Sequence, residues 1–285
     1  MKRKRGMLML ANLNEIFAAH PHGAVAGFNV FGYEDAQAVI NAAESLQTPV
    51  ILMTNRDALV HMPVDVMAVL LLKMAKKSSV LVCVHLDHAI TFEAVKAAAD
   101  AGYTSVMFDG SQLSLEENAR ITSQVISYVR PLGISVEAEL GSVGYADPNV
   151  KATSHLTEPD DIEKFLDVAP VDALAVAVGT IHRMFTQEAN IEFERLDKIC
   201  EKTEVPIVIH GSTGVSDEDL HNLAVHGVKK INIGTSLRMT FGHTLRQEMT
   251  ARPDEFDRIK LFPAVMNAVE AKAAEKMRLL TCLAR

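Results

Sequence analysis

Along the chain, short runs of consecutive apolar residues alternate with longer stretches of helical periodicity. The runs are AVAGFNV (24–30), PVILMT (49–54), VLVCVHL (80–86), TSVMFDG (104–110), ISVEAEL (134–140), DALAVAV (172–178), PIVIH (206–210) and KKINIGT (229–235). Unbroken runs rich in Val and Ile suit strands buried on both faces, and the helical stretches between them predict parallel crossovers. Eight such units in about 250 residues predict an α/β fold, a single (β/α)8 TIM barrel. The pattern adds a helix over about 12–20 before the first strand, and about fifty residues after the eighth leave room for two C-terminal helices. An open doubly wound sheet would carry a glycine-rich phosphate loop after its first strand, and AVAGFNVFG has no GxGxxG.

Punctuation agrees with this division. Ser114 followed by Glu117 reads as a capping box, and Ser216 followed by Asp219 as a weaker one. Thr157 is placed to cap a helix with Pro159 in its first turn, and Gly227 to end another. No Pro/Gly-rich linker divides the sequence, so one domain over 1–285 is expected.

Composition narrows the function classes. Hydrophobic residues make up 48% of 285 positions, charged residues 22%, and the net charge is −8. Without a basic patch, nucleic acid is not an expected partner. The apolar stretch after the basic MKRKR start is too short for a secretion signal or a membrane span, so a cytoplasmic protein is expected, with no membrane partner. Cys83, Cys200 and Cys282 have no CxxC spacing, which argues against a disulfide framework or a thiolate metal site.

The polar residues gather where the runs end, and in a barrel that is the catalytic face. The third run ends in His85-Leu86-Asp87-His88, the fourth in Asp109-Gly110-Ser111, and the fifth in Glu137-Ala138-Glu139. The sixth leads into Gly179-Thr180-Ile181-His182, the seventh ends in His210-Gly211-Ser212-Thr213-Gly214, and the eighth carries Asn232 and ends in Gly234-Thr235-Ser236. His88, His182 and His210 each follow an apolar strand and are expected to converge over the axis. Three neutral imidazoles leave a fourth position open on zinc. His85 shares a strand face with Asp87 and reads as a packed supporting histidine. His61 and His243 read as ordinary polar residues. Asp87, beside His88, is an orienter or a general acid–base. Asp109 and Glu139 read equally as an alternative metal position or as a hydrogen-bonded layer in the mouth. The HGSTG and NIGTS turns suit phosphate, because small residues let backbone N–H groups approach an anion.

Taken together, HLDH, VEAELG, GTxH, HGxxG and KIN followed by Thr235 resemble the class II, metal-dependent ketose-bisphosphate aldolases, the fructose- and tagatose-bisphosphate members above all. The match runs in order from GFNV at 27–30 to the eighth strand. The resemblance implies a zinc cofactor on His88, His182 and His210, with a monovalent cation as an admissible second one, and Asp87 as the proton-transfer residue. It implies that Gly211, Ser212 and Thr213, with Asn232, Ile233, Gly234 and Thr235, hold the substrate phosphate, that Asn232 also steadies the enediolate, and that Asp109 and Glu139 line a second metal position. The implied reaction is reversible retro-aldol cleavage of a phosphorylated ketose to dihydroxyacetone phosphate and an aldehyde, a step of carbohydrate metabolism such as glycolysis, in a homo-oligomer (dimer or tetramer).

Three departures bear on the substrate. Arg183 stands where the family usually has glycine, and is expected to pair with the substrate phosphate. The loop after the fifth strand is shortened to Gly144-Tyr145-Ala146-Asp147, with Asp147 the stand-in for a proton-moving loop glutamate. Thr54-Asn55-Arg56 occupies a stretch where a serine or threonine is common near the substrate. Three rivals remain open: a zinc hydrolase, a non-catalytic sugar-phosphate-binding member of the family, and a Schiff-base aldolase. The last needs a lysine at a strand's C-terminal end, whereas Lys229 and Lys230 open the eighth strand, on the face away from the mouth.

Overall fold

The computed structural model describes residues 9–145, 154–182, 184 and 186–281. Eight parallel strands, β1 (Val25–Asn29), β2 (Val50–Thr54), β3 (Val82–Ala89), β4 (Ser105–Phe108), β5 (Ser135–Leu140), β6 (Ala173–Val176), β7 (Ile207–Ile209) and β8 (Val228–Ile233), coincide with the eight apolar runs. Each pairs with its neighbours in sequence, and β8 pairs with β1, Ile231 opposite Ala26, so the sheet closes into a barrel. Helices lie between the strands, which makes the fold an α/β TIM barrel.

Strand alternation sorts the core into two layers. Val50 and Leu52 of β2 belong to the outer layer beneath the helices, with Phe28, Val84, Val106 and Ile231. Ile51 and Met53, facing the other way, join Val25, Cys83, Ala173, Ala175 and Val208 inside the barrel.

The bottom of the barrel is plugged by the expected N-terminal helix, Leu13–Ala19, whose Leu13 and Ile16 complete the inner cluster. Asn12 starts it with a capping box: its side chain accepts from Glu15 N at 3.0 Å, and the Glu15 carboxylate accepts from Asn12 N at 2.9 Å. Just before it, Leu10–Ala11 forms a short strand beside Val82 and Cys83 of β3, a two-residue element too short to show as a pattern. The C-terminal helices, Thr235–Ala251 and Arg258–Leu280, pack on each other and the second on helix Tyr33–Leu46. Leu280 O accepts from Ala24 N at 2.9 Å, which ties the far end of the chain to the start of β1.

Ser114 and Ser216 cap their helices, accepting from Glu117 N at 3.2 Å and Asp219 N at 3.0 Å. Thr157 does not: helix Pro159–Val168 starts from Glu158 without a side-chain cap. The Thr157 hydroxyl is buried, donating to Leu140 O and accepting from Ala177 N at 2.8 Å, so it joins β5 to the segment after β6. Its bonds to the backbone of Leu140 and Ala177, at two strand ends, outweigh the cap. Among the described residues, no helix is long and apolar enough to cross a membrane.

Candidate active site

Alternation along β3 places Asp87 inward and would turn His88 outward. The chain avoids this with a left-handed residue: His88 has φ +53°, and the β3–β4 register shifts between Leu86 and Ala89. For a residue with a Cβ this conformation costs about 1–2 kcal/mol. In return Asp87 and His88 both face the mouth. The His88 ring lies 4.6 Å from that of His210, at the end of β7, and 5.1 Å from that of His182. The His182 and His210 rings are 6.0 Å apart. His182 sits in a short strand, Ile181–His182, beside Gly144–Tyr145, so the segment after β5 braces the third histidine.

Carboxylates surround the imidazoles. His88 Nδ1 is 2.8 Å from Asp109 and 3.8 Å from Glu139. His210 Nε2 is 3.0 Å from Glu137, and its Nδ1 is 3.5 Å from Glu139. Asp87 accepts from Asn29 Nδ2 at 2.9 Å and from Asn232 Nδ2 at 3.1 Å, one amide on each oxygen. Burial alone would push its carboxyl up, but the positive charges of His88, His210 and Lys230 hold it down, at about 2. Burial pushes His88 down, yet Asp87, Asp109 and Glu139 outweigh that and lift it to about 10. For His182, burial and then the charges of His88 and His210 outweigh the opposing pull of Asp87 and Asp109 and drive it well below its usual value.

This donor set fits a cation. One ring nitrogen from each of His88, His182 and His210 lies within 4.8 Å of the others, and the same holds for donor atoms of His88, Asp109 and Glu139. Asp87, Asp109 and Glu139 bring negative charge to the point, while Lys230 is already paired with Glu137 at 2.7 Å. His210 Nδ1 and Glu139 Oε2 are buried without a hydrogen-bond partner, a cost a metal would relieve. Both groups share His88, so the donor atoms of Asp109 and Glu139 lie beside the same point as the three imidazoles.

Beside the histidines the mouth opens into a pocket lined by Asn29, Asp87, Asn232 and both glycine turns, Gly211–Thr213 and Gly234–Thr235. Gly211 has φ +71°, and a Cβ there would lie 2.9–3.1 Å from the backbone of Ile181, next to His182. The left-handed conformation alone costs alanine about 1–2 kcal/mol. Gly211→Ala is therefore expected to lower the melting temperature by about 2–8 °C with zinc in excess; an unchanged melting curve would show that the turn relaxes freely.

The family model for class-II fructose-bisphosphate aldolase matches residues 11–285. The chain belongs to that family. It is accordingly a carbon–carbon lyase of the class II aldolase type. A fructose-bisphosphate aldolase of Geobacillus stearothermophilus is 36% identical over 259 residues, covering 90% of both chains. A 6-phospho-5-dehydro-2-deoxy-D-gluconate aldolase of Halalkalibacterium halodurans is 35% identical over 263 residues, also covering 90% of each. The crystal structure of the YdjI aldolase from Escherichia coli K12 superposes with a TM-score of 0.80 at 32% identity, covering 95% of this chain and 97% of that one.

In this class II aldolase the anticipated residues meet, with several refinements. Arg183 and Asp147 lie outside the described residues. Ile233 faces the outer core, so only its backbone can serve the phosphate turn. The Ser212 hydroxyl donates to Asn232 O at 2.5 Å and fastens one turn to the other. Thr54 is buried against the Tyr103 hydroxyl at 2.8 Å, and Asn55 takes its place in the pocket. Lys230 is a correction. Opening its run, it is expected away from the mouth, but its side chain points into the barrel and reaches Glu137 beneath His210. Strand parity with Asn232 carried that signal.

Asn29, Phe31 and Arg238 line the pocket and were missed. Asn29, at the end of β1, is where a polar residue in an apolar strand should have counted. Arg238, on the first turn of the helix after β8, carried no signal, because a helical arginine usually faces solvent.

Proposed function

We propose that this aldolase is zinc-dependent and cleaves a phosphorylated ketose to dihydroxyacetone phosphate and an aldehyde, as fructose or tagatose bisphosphate or a related ketose 1-phosphate would. The convergence of three imidazoles from three strand ends, beside Asp87 and two phosphate-sized turns, carries the reading. One domain over 1–285, a cytoplasmic location and a homo-oligomeric state belong to the same reading.

His88, His182 and His210 would hold the ion, which when bound supplies Lewis-acid polarisation of the substrate oxygens. Asp87, steadied by Asn29 and Asn232, takes the proton of the C4 hydroxyl as the C3–C4 bond breaks; the aldehyde departs, and protonation of the electron pair left on C3 gives dihydroxyacetone phosphate. The backbone N–H groups of Gly211–Thr213 and Gly234–Thr235 receive the phosphate, aided by the N-terminus of helix Thr235–Ala251. Asn232 lies between this turn and Asp87, so one residue links phosphate seating to proton transfer. Arg183 is expected to add a guanidinium to the same phosphate.

The test is retro-aldol turnover of the zinc-loaded protein on a panel of ketose 1-phosphates and bisphosphates. Aldehyde release without inorganic phosphate supports the aldolase; phosphate release supports a hydrolase. Zinc binding with no turnover of any panel member would leave a sugar-phosphate-binding protein.

Arg238 offers a finer expectation. Its guanidinium stacks over Phe31, 4.8 Å from the ring centre, and lies 3.9 Å from Asp57 at the pocket rim. That placement suits an anionic group at the substrate's far end. Arg238→Ala is expected to weaken a bisphosphate by about 1.5–3 kcal/mol, the scale of a hydrogen bond to a charged group, and to leave a ketose 1-phosphate unaffected. Equal losses for both would place Arg238 at the shared phosphate.

A further inference from the structure

One polar assembly in the barrel lies outside the pocket. Glu137 on β5 and Lys230 on β8 are fully buried, on strands that are not neighbours, and they meet across the interior. One Glu137 oxygen faces His210 Nε2 at 3.0 Å. The other faces the Lys230 ammonium at 2.7 Å and is 3.8 Å from His85 Nε2. His85 is itself held from its opposite nitrogen, with Nδ1 2.8 Å from Ser105 Oγ.

Stability does not account for such a pair. Exchanging a buried ion pair for apolar residues of the same volume is often neutral or stabilising, and the inner cluster of the barrel, with Ile51, Met53 and Ala173, is apolar. What the pair supplies is a fixed acceptor. A carboxylate can only accept, and Glu137 at 3.0 Å from Nε2 is closer than Glu139 at 3.5 Å from Nδ1, so the neutral His210 ring carries its proton on Nε2 and its lone pair on Nδ1. Nδ1 is the buried atom without a hydrogen-bond partner.

We propose that Lys230 is a positioning residue of the metal centre: by holding one oxygen of Glu137 it aims the other at His210 Nε2, and so fixes the His210 ring with Nδ1 toward the three-histidine point. This rests on the reading of His88, His182 and His210 as metal ligands. His88 is fixed in the complementary sense, with Nδ1 taken by Asp109. The two imidazoles are thus oriented by different carboxylates, and only that of His210 is anchored from beneath by a cation. Partners of this kind set ligand orientation and basicity, and their loss typically costs 10–100-fold in metal affinity.

The experiment is zinc affinity by chelator competition on the full-length protein, with thermal unfolding alongside. Lys230→Met and Glu137→Gln are each expected to bind zinc about 10–100-fold more weakly, with turnover recovering in saturating zinc. Because Lys230 acts through Glu137, adding Lys230→Met to Glu137→Gln should change affinity less than about threefold, a non-additive cycle. Additive losses, or a lower melting temperature with zinc affinity unchanged, overturn the proposal. Should Lys230→Met alone fail to fold, the double variant, which leaves no uncompensated carboxylate, is compared with Glu137→Gln. Equal affinities support the proposal and a further tenfold loss overturns it. A native protein that binds no zinc would instead remove the metal reading itself.

Discussion

Asp87→Ala is expected to keep its zinc and to lose about 10²–10⁴ of its turnover, the range for a general acid–base. The metal should survive because Asp87 is outside both groups of converging donors. The turnover should not, because among the described residues the neighbouring carboxylates have other partners: Asp109 is spent on His88, and Glu137 on His210 and Lys230. The substitution also strips the Asn29 and Asn232 amides of their acceptor, a desolvation cost of about 1–3 kcal/mol each. A modest fall in melting temperature should therefore accompany the kinetic loss. Zinc content and kcat at saturating zinc separate the effects. A variant that sheds its metal, then regains normal turnover with zinc in excess, would reduce Asp87 to a support for the site.

Stripping zinc with a chelator is expected to lower turnover by at least about 10³. Lewis-acid stabilisation contributes several kcal/mol, and each 1.36 kcal/mol is a factor of ten in rate. The metal-free protein should also melt earlier, since a ligand at a thousandfold excess over its dissociation constant stabilises by about 4 kcal/mol. Titrating zinc back should restore both properties at one ion per chain. Full turnover at zero zinc would overturn the metal reading. Borohydride in the presence of substrate should leave activity intact, because Lys230, the buried amine beneath the site, is paired with Glu137 and lines no part of the pocket.

Much of this was legible in the sequence because strands and strand ends are local features. Eight apolar runs became eight strands, and the histidines after the third and seventh, with the one beyond the sixth, came together as their positions implied. The less legible parts depend on geometry that pattern does not encode. Strict alternation would have sent His88 outward, and only its left-handed backbone returns it to the mouth. Lys230 was misjudged by its distance from the strand's end, when the face it shares with Asn232 decides its direction. Thr157 was read as a cap because its sequence neighbours suit one, while its partners are Leu140 and Ala177, on other elements. Arg238 reaches the pocket from a helix whose docking no periodicity reveals.

Closure of the sheet has a consequence for biosynthesis. β1 finds its second partner only when β8 has been made, about two hundred residues later. His210 and Asn232 arrive near the end of that interval, and Leu280, which receives the Ala24 N–H, later still. A chain emerging from the ribosome therefore carries His88 long before it carries a site, and no shorter nascent fragment has all three histidines and a closed ring. On the proposed zinc reading, tight metal retention would report completed folding. Measured on chains arrested at increasing lengths, it should rise in one step after β8 has cleared the exit tunnel.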